Sequence, residues 1–255
     1  MANQIVLGVD IGGSGIKGGL IDVKRGEMIS ERHRIPTPRP ATPKAVAQTF
    51  KELVAHFDWQ GPVGVGFPAI VHHGVAHSAA NIDPAWIGQS IEAILSKASA
   101  CDVHVLNDAD AAGIAAMQYG VGKGEKGVVL MLTIGTGIGS ALFIDGKLVP
   151  NTEFGHLYLK GDSKVAEKFV SNKAREIAQL EWEDWGVRLD TYLHHIDRLL
   201  TPDLVIIGGG GSKRFDKFKD KLTVDFRVVP AGLLNKAGAI GAAWYAWEVS
   251  KKKKS

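Results

Sequence analysis

Asp10 stands at the end of the apolar run Ile5-Val-Leu-Gly-Val9 and is followed by Ile11-Gly12-Gly13-Ser14-Gly15. A strand-end carboxylate beside a glycine-rich turn lies next to bare backbone N–H groups, which suits a phosphate held through Mg²⁺ and amide contacts. An ordinary hairpin turn would look the same, and the P-loop pattern Gly-x-x-x-x-Gly-Lys-Ser/Thr occurs nowhere in the chain. The stretch Thr133-Ile-Gly135-Thr136-Gly137-Ile-Gly139 repeats the arrangement. Segments 10–22 and 133–145 have equal length, and Ile11, Gly12, Ile21 and Asp22 recur as Ile134, Gly135, Ile144 and Asp145. Each segment reads as strand, turn, strand, so the chain looks like two related halves whose hairpins could grip a phosphate chain across a cleft.

Between these turns lies Leu106-Asn107-Asp108-Ala109-Asp110, with Asp108 just past a strand and at the start of a helix. Asp108 either caps that helix or serves as a general base, because phosphoryl transfer to a sugar needs a carboxylate to orient and deprotonate the attacking hydroxyl. Asp110 reads as solvated or structural. Glu153-Phe-Gly-His156 could hydrogen-bond vicinal hydroxyls; zinc at His156 is the alternative, although Glu-x-x-His without cysteine partners is a short pattern for a metal. The pairs His72-His73 and His194-His195 have no ligand-like company and read as surface or satisfied residues. Gly208, Gly209, Gly210 and Gly211 lead into residues 212–221, read as a loop opening a helix whose N-terminus would attract anions. On that helix Lys213, Lys217 and Lys221 recur at i, i+4 and i+8, forming either a cationic track for a long polyanion or a solvated face. Lys17, Lys160, Lys164 and Arg175 are the other candidates for gripping such a donor.

The elements that must position these residues are legible from periodicity and punctuation. Four glycine clusters, at 12–15, 64–66, 135–139 and 208–211, each follow a short aliphatic run that reads as a buried strand, so glycines are expected at strand ends. Thr42-Pro43 opens a helix to about Phe57. Further helices are expected from about Trp86 to Ala98, from Asp108 to Tyr119, along the stripe Trp185, Leu189, Leu193, Ile196 and Leu200, and from Ala237 to Trp247. Strands fall at Val103–Leu106 and Leu204–Ile207, and the Pro-rich stretch from Ile35 to Pro43 reads as a surface connection. Alternation of strands and helices predicts an α/β fold with helices on both faces of each sheet. The division falls near residue 120, giving domains 1–120 and 121–255; the C-terminal helix is free to pack back on the first domain, and 251–255 is expected as a disordered tail.

Composition narrows the function classes. The 255 residues, 45% hydrophobic, suffice for one large domain or two modest ones. The net charge of +3 owes everything to four lysines at 251–254, without which 26 basic residues face 27 acidic ones. No domain-wide basic footprint for nucleic acid exists. Cys101 is the only cysteine, which excludes an intramolecular disulfide and any Cys-rich zinc site and favours a cytosolic compartment. No apolar run approaches the ~18 residues of a membrane helix. The start, MANQIVLGVDIGG, lacks a basic stretch and runs straight into a strand pattern, so neither a signal peptide nor an appended DNA-binding module is expected.

The Asp10 turn, Asn107-Asp108, the Thr133–Gly139 turn, Glu153–His156 and the 208–211 loop, in this order, resemble the sugar-kinase branch of the actin-like ATPase superfamily. Ser78-Ala-Ala-Asn-Ile-Asp-Pro-Ala-Trp-Ile87, Asn151–His156, Trp182-Glu-Asp-Trp185 and Pro202–Arg214 are similar to the ROK family and, within it, its polyphosphate glucokinase group. The resemblance spans essentially the whole chain. It implies two actin-like, ribonuclease H-like domains, each a mixed sheet flanked by helices, with an interdomain cleft. It implies a glucokinase moving a phosphoryl group from polyphosphate or ATP to the glucose 6-hydroxyl, with Asp108 as base. Asn107, Glu153, His156 and Glu167, together with Asn81 and Asp83, would bind the sugar. Asp10, Gly12, Gly13, Ser14 and Lys17 with Gly135, Thr136 and Gly137 would hold the transferring phosphate and Mg²⁺, Asp10 being the metal ligand. Gly208–Gly211 and Lys213 would sit near a nucleotide or its polyphosphate substitute. ROK sugar kinases carry a Cys-rich zinc loop after their Glu-x-Gly-His motif; here Leu157–Val165 has no cysteine, so no zinc is expected and the role of Glu167 rests on alignment across a shortened loop. A homodimer is implied as well, with no nucleic-acid or membrane partner. The rivals are an ATP-only hexokinase and a non-catalytic sugar sensor.

Overall fold

The computed structural model describes residues 4–80, 82–159, 161, 163–232 and 236–252, so Asn81 and Lys160 lie outside the described residues. The chain forms two compact units, one of residues 1–119 with 236–255 and one of residues 120–235.

In the first unit, β1 (Ile5–Gly12), β2 (Gly15–Asp22), β3 (Glu27–Met28), β4 (His33–Ile35), β5 (Val63–Phe67) and β8 (Val103–Asn107) form a six-stranded sheet. Its order is β3-β2-β1-β5-β8, with β4 also paired to β2, and β6 (Val71–His72) and β7 (Val75–Ala76) make a separate ribbon. Strand β1 is antiparallel to β2 and parallel to β5, which is parallel to β8. Helix α1 (Pro43–His56) begins where predicted, because the Thr42 hydroxyl accepts the Ala45 N–H at 3.3 Å and Pro43 needs no donor partner there. The helix expected from Trp86 is shorter. Asp83 instead caps a single 3₁₀ turn, Pro84–Trp86, Gly88 at φ +79° breaks the chain, and Ser90 caps α2 (Ile91–Ser99). Helix α3 is Asp108–Tyr119.

The second unit holds β9 (Val128–Ile134), β10 (Ile138–Ile144), β11 (Lys147–Val149), β12 (Leu204–Gly208) and β13 (Arg227–Pro230) in the order β11-β10-β9-β12-β13. Two antiparallel pairings are followed by two parallel ones, the same pattern of directions as β3-β2-β1-β5-β8. Helices α4 (Glu167–Val170), α5 (Asn172–Ile177), α6 (Trp182–Leu200) and α7 (Gly209–Ser212) complete it. The stripe Trp185, Leu189, Leu193 and Ile196 of α6 is fully buried against Val205, Ile207 and Phe218.

The last helix, α8 (Ala237–Lys252), packs back on α3, β1 and β5 and so belongs to the first unit. This contact corrects the placing of Gly64 and Gly66, which lie inside β5 and not at its end. A Cβ on Gly64 would stand 1.9 Å from the Ala242 carbonyl oxygen, and one on Gly8 would stand 2.1 Å from that of Ala239. The glycines let a helix lined with alanine lie directly on the strand backbones. Helix α8 also runs past Trp247, whose ring Lys251 covers at 3.0 Å, so residues 251 and 252 are helical.

Candidate active site

Asp10, Asn107 and Asp108 sit near the C-terminal ends of the parallel strands β1 and β8, where open α/β sheets place their ligands, while Lys17 lies on the antiparallel β2. Asp10 of β1 pairs in register with Gly66 of β5, and Gly66 pairs with Leu106 of β8. Asp108 follows two residues later, its Cα 3.6 Å from the position a Gly66 Cβ would take. The Asp10 carboxylate, 24% exposed, lies 3.4 Å from Lys17 Nζ, and Gly238 near the start of α8 passes so close that a Cβ there would lie 3.4 Å from Asp10 Cγ. Asp83 serves as the cap of its 3₁₀ turn, its Oδ1 accepting the Ala85 N–H at 2.9 Å.

Asn107 and Asp108 share the start of α3. Asn107 Oδ1 accepts the N–H groups of Ala109 at 2.8 Å and Asp110 at 3.1 Å, while its amide nitrogen donates to the Ala69 carbonyl at 3.0 Å. Asn107 is thus the capping side chain of α3 and ties the helix to the segment after β5. Asp108 is left on the first turn, partly exposed, with Oδ1 2.8 Å from the Ala109 N–H. Asp110 is buried, at 1% exposure, so a solvated role is excluded.

In the second unit the glycine turn, the Glu-x-x-His segment and the four-glycine loop all meet the facing ends of β9 and β10. Gly155 packs on the Ile138 carbonyl, and the Phe154 N–H donates to Ser140 Oγ at 3.0 Å. These contacts fix Glu153 and His156, whose Oε2 and Nδ1 are 3.6 Å apart. Glu167 reaches the same place: its Oε2 lies 3.4 Å from the Ile138 N–H and 2.4 Å from where a Gly137 Cβ would be. A Cβ on Gly137 would have to displace the Glu167 carboxylate. Burial pushes the Glu153 carboxyl up from its ordinary value; the His156 imidazole opposes the shift and Glu167 adds to it. Gly209, at φ +70°, forms a bridge with Ile134, so the 208–211 loop abuts the Gly135 turn.

Some expectations need correction. The two hairpins differ by one turn residue: Gly12 pairs with Gly15, whereas Ile134 pairs with Ile138. The glycines expected as a loop form the one-turn α7, Gly209–Ser212, and the helix expected over 212–221 is replaced by two 3₁₀ turns, Phe215–Lys217 and Lys219–Lys221, so Lys213, Lys217 and Lys221 form no helical stripe. Lys217 and Lys221 line a cavity of about 510 Å³ together with the carboxylates Glu181, Glu183, Asp216 and Asp220. That balance of charge gives a polyanion no track. Sequence reasoning also missed Arg34 and Thr37, which brace the first glycine turn: Thr37 Oγ1 donates to the Gly12 carbonyl and Arg34 Nη2 to that of Ser14. The surface connection assigned to this region begins as strand β4, a signal too short to read before two prolines.

The model of the ROK family matches residues 6–171. A polyphosphate glucokinase of Mycobacterium tuberculosis (strain CDC 1551 / Oshkosh) is 46% identical over 237 residues, covering 92% of this chain and 89% of that protein. The chain belongs to the ROK family. Among solved structures, the inorganic polyphosphate/ATP-glucomannokinase of Arthrobacter sp. strain KM matches this ROK chain with TM-score 0.90 and 47% identity, covering 98% of this chain and 100% of that one. A ROK family glucokinase from Streptomyces griseus, in complex with glucose and AMPPNP, shares the fold at TM-score 0.81 and 23% identity, covering 96% and 99% of the two chains. The fold of this ROK chain is accordingly the actin-like α/β fold of the family's sugar kinases. No helix among its described residues is long and apolar enough to cross a membrane.

Proposed function

We propose that the chain transfers the terminal phosphoryl group of inorganic polyphosphate to the 6-hydroxyl of glucose, giving glucose 6-phosphate and a polymer shorter by one phosphate. The observation that carries this reading is the 46% identity, along nearly the whole chain, to a polyphosphate glucokinase. Asp108 orients the hydroxyl and takes its proton as the oxygen bonds to phosphorus and the bridging P–O bond breaks. Asn107, Glu153, His156 and Glu167, with Asn81 and Asp83, bind the remaining hydroxyls. The turns at Gly12–Ser14 and Gly135–Gly137 hold the transferring phosphate through backbone N–H groups, with Gly208–Gly211 and Lys213 beside the rest of the donor.

Mg²⁺ fits the residues present. No group of three His, Cys, Asp or Glu side chains that could hold a metal occurs among the described residues, and Mg²⁺ asks only for one or two carboxylates plus phosphate oxygens and water. Asp10 supplies such a carboxylate at the first turn. When bound, the ion neutralises charge on the transferring group. Use of ATP as a second donor is favoured by the 47% identity to a polyphosphate/ATP-glucomannokinase, and we include in the proposal a cytosolic homodimer. A coupled assay for glucose 6-phosphate with polyphosphate or ATP as sole donor tests it: turnover with polyphosphate is expected, and turnover with ATP alone would assign the chain to the ATP-only hexokinases. No product with either donor, despite glucose binding, would favour the sugar sensor.

A further inference from the structure

Asp10 of β1 is the register partner of Lys17 of β2, and Lys17 is the register partner of Arg34 of β4. Directly opposite residues of antiparallel strands project from one face, so a carboxylate, an ammonium and a guanidinium stand side by side in a row. Toward the turn, the next residues on that face are Gly12 and Gly15, and neither has a side chain to cover it. Like charges directly opposite each other repel, and the single carboxylate, 3.4 Å from Lys17, balances only one of the two cations. The row therefore keeps a surplus positive charge at the edge of the first glycine turn.

Arg34 leans over that turn. Its Nη2 donates to the Ser14 carbonyl at 2.7 Å, and its Nε, Cζ and Nη2 lie 2.6, 2.9 and 2.9 Å from where a Gly15 Cβ would stand. A Cβ on Gly15 would have to displace the guanidinium from this position. A guanidinium offers five N–H donors in a planar fork, and only one is needed for the Ser14 carbonyl. Arg34 is also exposed, open to a ligand arriving at the turn.

We infer that Arg34 is a donor-binding residue, whose guanidinium grips the phosphate chain of the donor on the Gly12–Gly15 turn, and that a polyphosphate leaves the turn across the β2–β4 edge. The inference rests on the reading of this turn as the donor site. The test is calorimetric titration of sodium tripolyphosphate into the parent, Arg34→Gln and Arg34→Lys proteins, followed by donor kinetics. Glutamine keeps an N–H for the Ser14 carbonyl but removes the charge. Arg34→Gln is expected to bind tripolyphosphate about 10-fold more weakly at low salt, with a smaller difference at high salt, and to raise the donor KM similarly while leaving the glucose KM unchanged. Arg34→Lys is expected to recover part of the affinity, since a point charge cannot make two parallel bonds.

Parental affinity in Arg34→Gln would overturn the inference and reduce Arg34 to a brace. If Arg34→Gln lacks a melting transition, Arg34→Lys decides, because parental tripolyphosphate affinity in that variant contradicts a forked grip. A parent that binds tripolyphosphate yet phosphorylates no glucose with either donor refutes the proposed function alone. A parent that does not bind it refutes the donor turn and Arg34 together.

Discussion

In the proposed mechanism Asp108 acts as the base while Asn107 caps α3, and this division of labour separates two substitutions that would otherwise look alike. Asp108→Asn leaves the cap in place and should lower glucose phosphorylation by roughly 10²-fold to 10⁴-fold at unchanged melting temperature, the range for losing a general base. Asn107→Ala removes the acceptor of two helix N–H groups and should cost about 1 to 2 kcal/mol in urea unfolding. Equal melting temperatures for Asn107→Ala and the parent would contradict the cap. Glu153 carries a pH signature as well. Burial raises its folded-state value above the ordinary 4.5, so the stability Glu153 contributes at acid pH is lost as pH rises through the raised value. Glu153→Gln should therefore melt about 1 to 3 °C above the parent at neutral pH and match it in acid, while binding glucose about 10-fold more weakly. A melting difference that grows toward acid pH would reverse the assignment.

At the scale of elements, the glycines of β1 and β5 are explained by a helix that arrives only at the end of the chain. Gly64→Ala drives a methyl group into the Ala242 backbone and should destabilise by about 2 kcal/mol or more, read as a lowered urea midpoint. By contrast, Gly88→Ala meets nothing within 4 Å and should cost only the strain of its positive φ, about 1 kcal/mol. These cases mark what could be read from the sequence. The hairpins, the Thr42 cap, the buried stripe of α6 and the strand preceding Asp108 follow from local spacing and punctuation, so they were legible. The in-strand glycines, the capping role of Asn107 and the placing of Arg34 depend on contacts with β4, α8 or the segment after β5. Nothing local announces those contacts. The 212–221 segment failed for the opposite reason: its helical period was present, but burial of Phe218 against Trp185 and Gly186 selected separate 3₁₀ turns.

At the scale of the molecule, the first unit is assembled from both ends of the chain, while the second is a continuous insert. A chain ending before Lys236 should lose amide protection throughout β1, β5 and α3 in hydrogen exchange while the second unit keeps its own. Uniform loss in both units would show them to be one cooperative structure. The same discontinuity bears on synthesis. A ribosome releases residues 1–119 long before the helix that covers Gly8 and Gly64 exists, so the usual order in which N-terminal domains fold first is inverted. The middle of the chain can settle while its beginning waits with the glycine-bare faces of two strands open to solvent. The nascent protein is therefore most exposed to chaperones and to aggregation in residues 1–119, until residues 237–252 have been made.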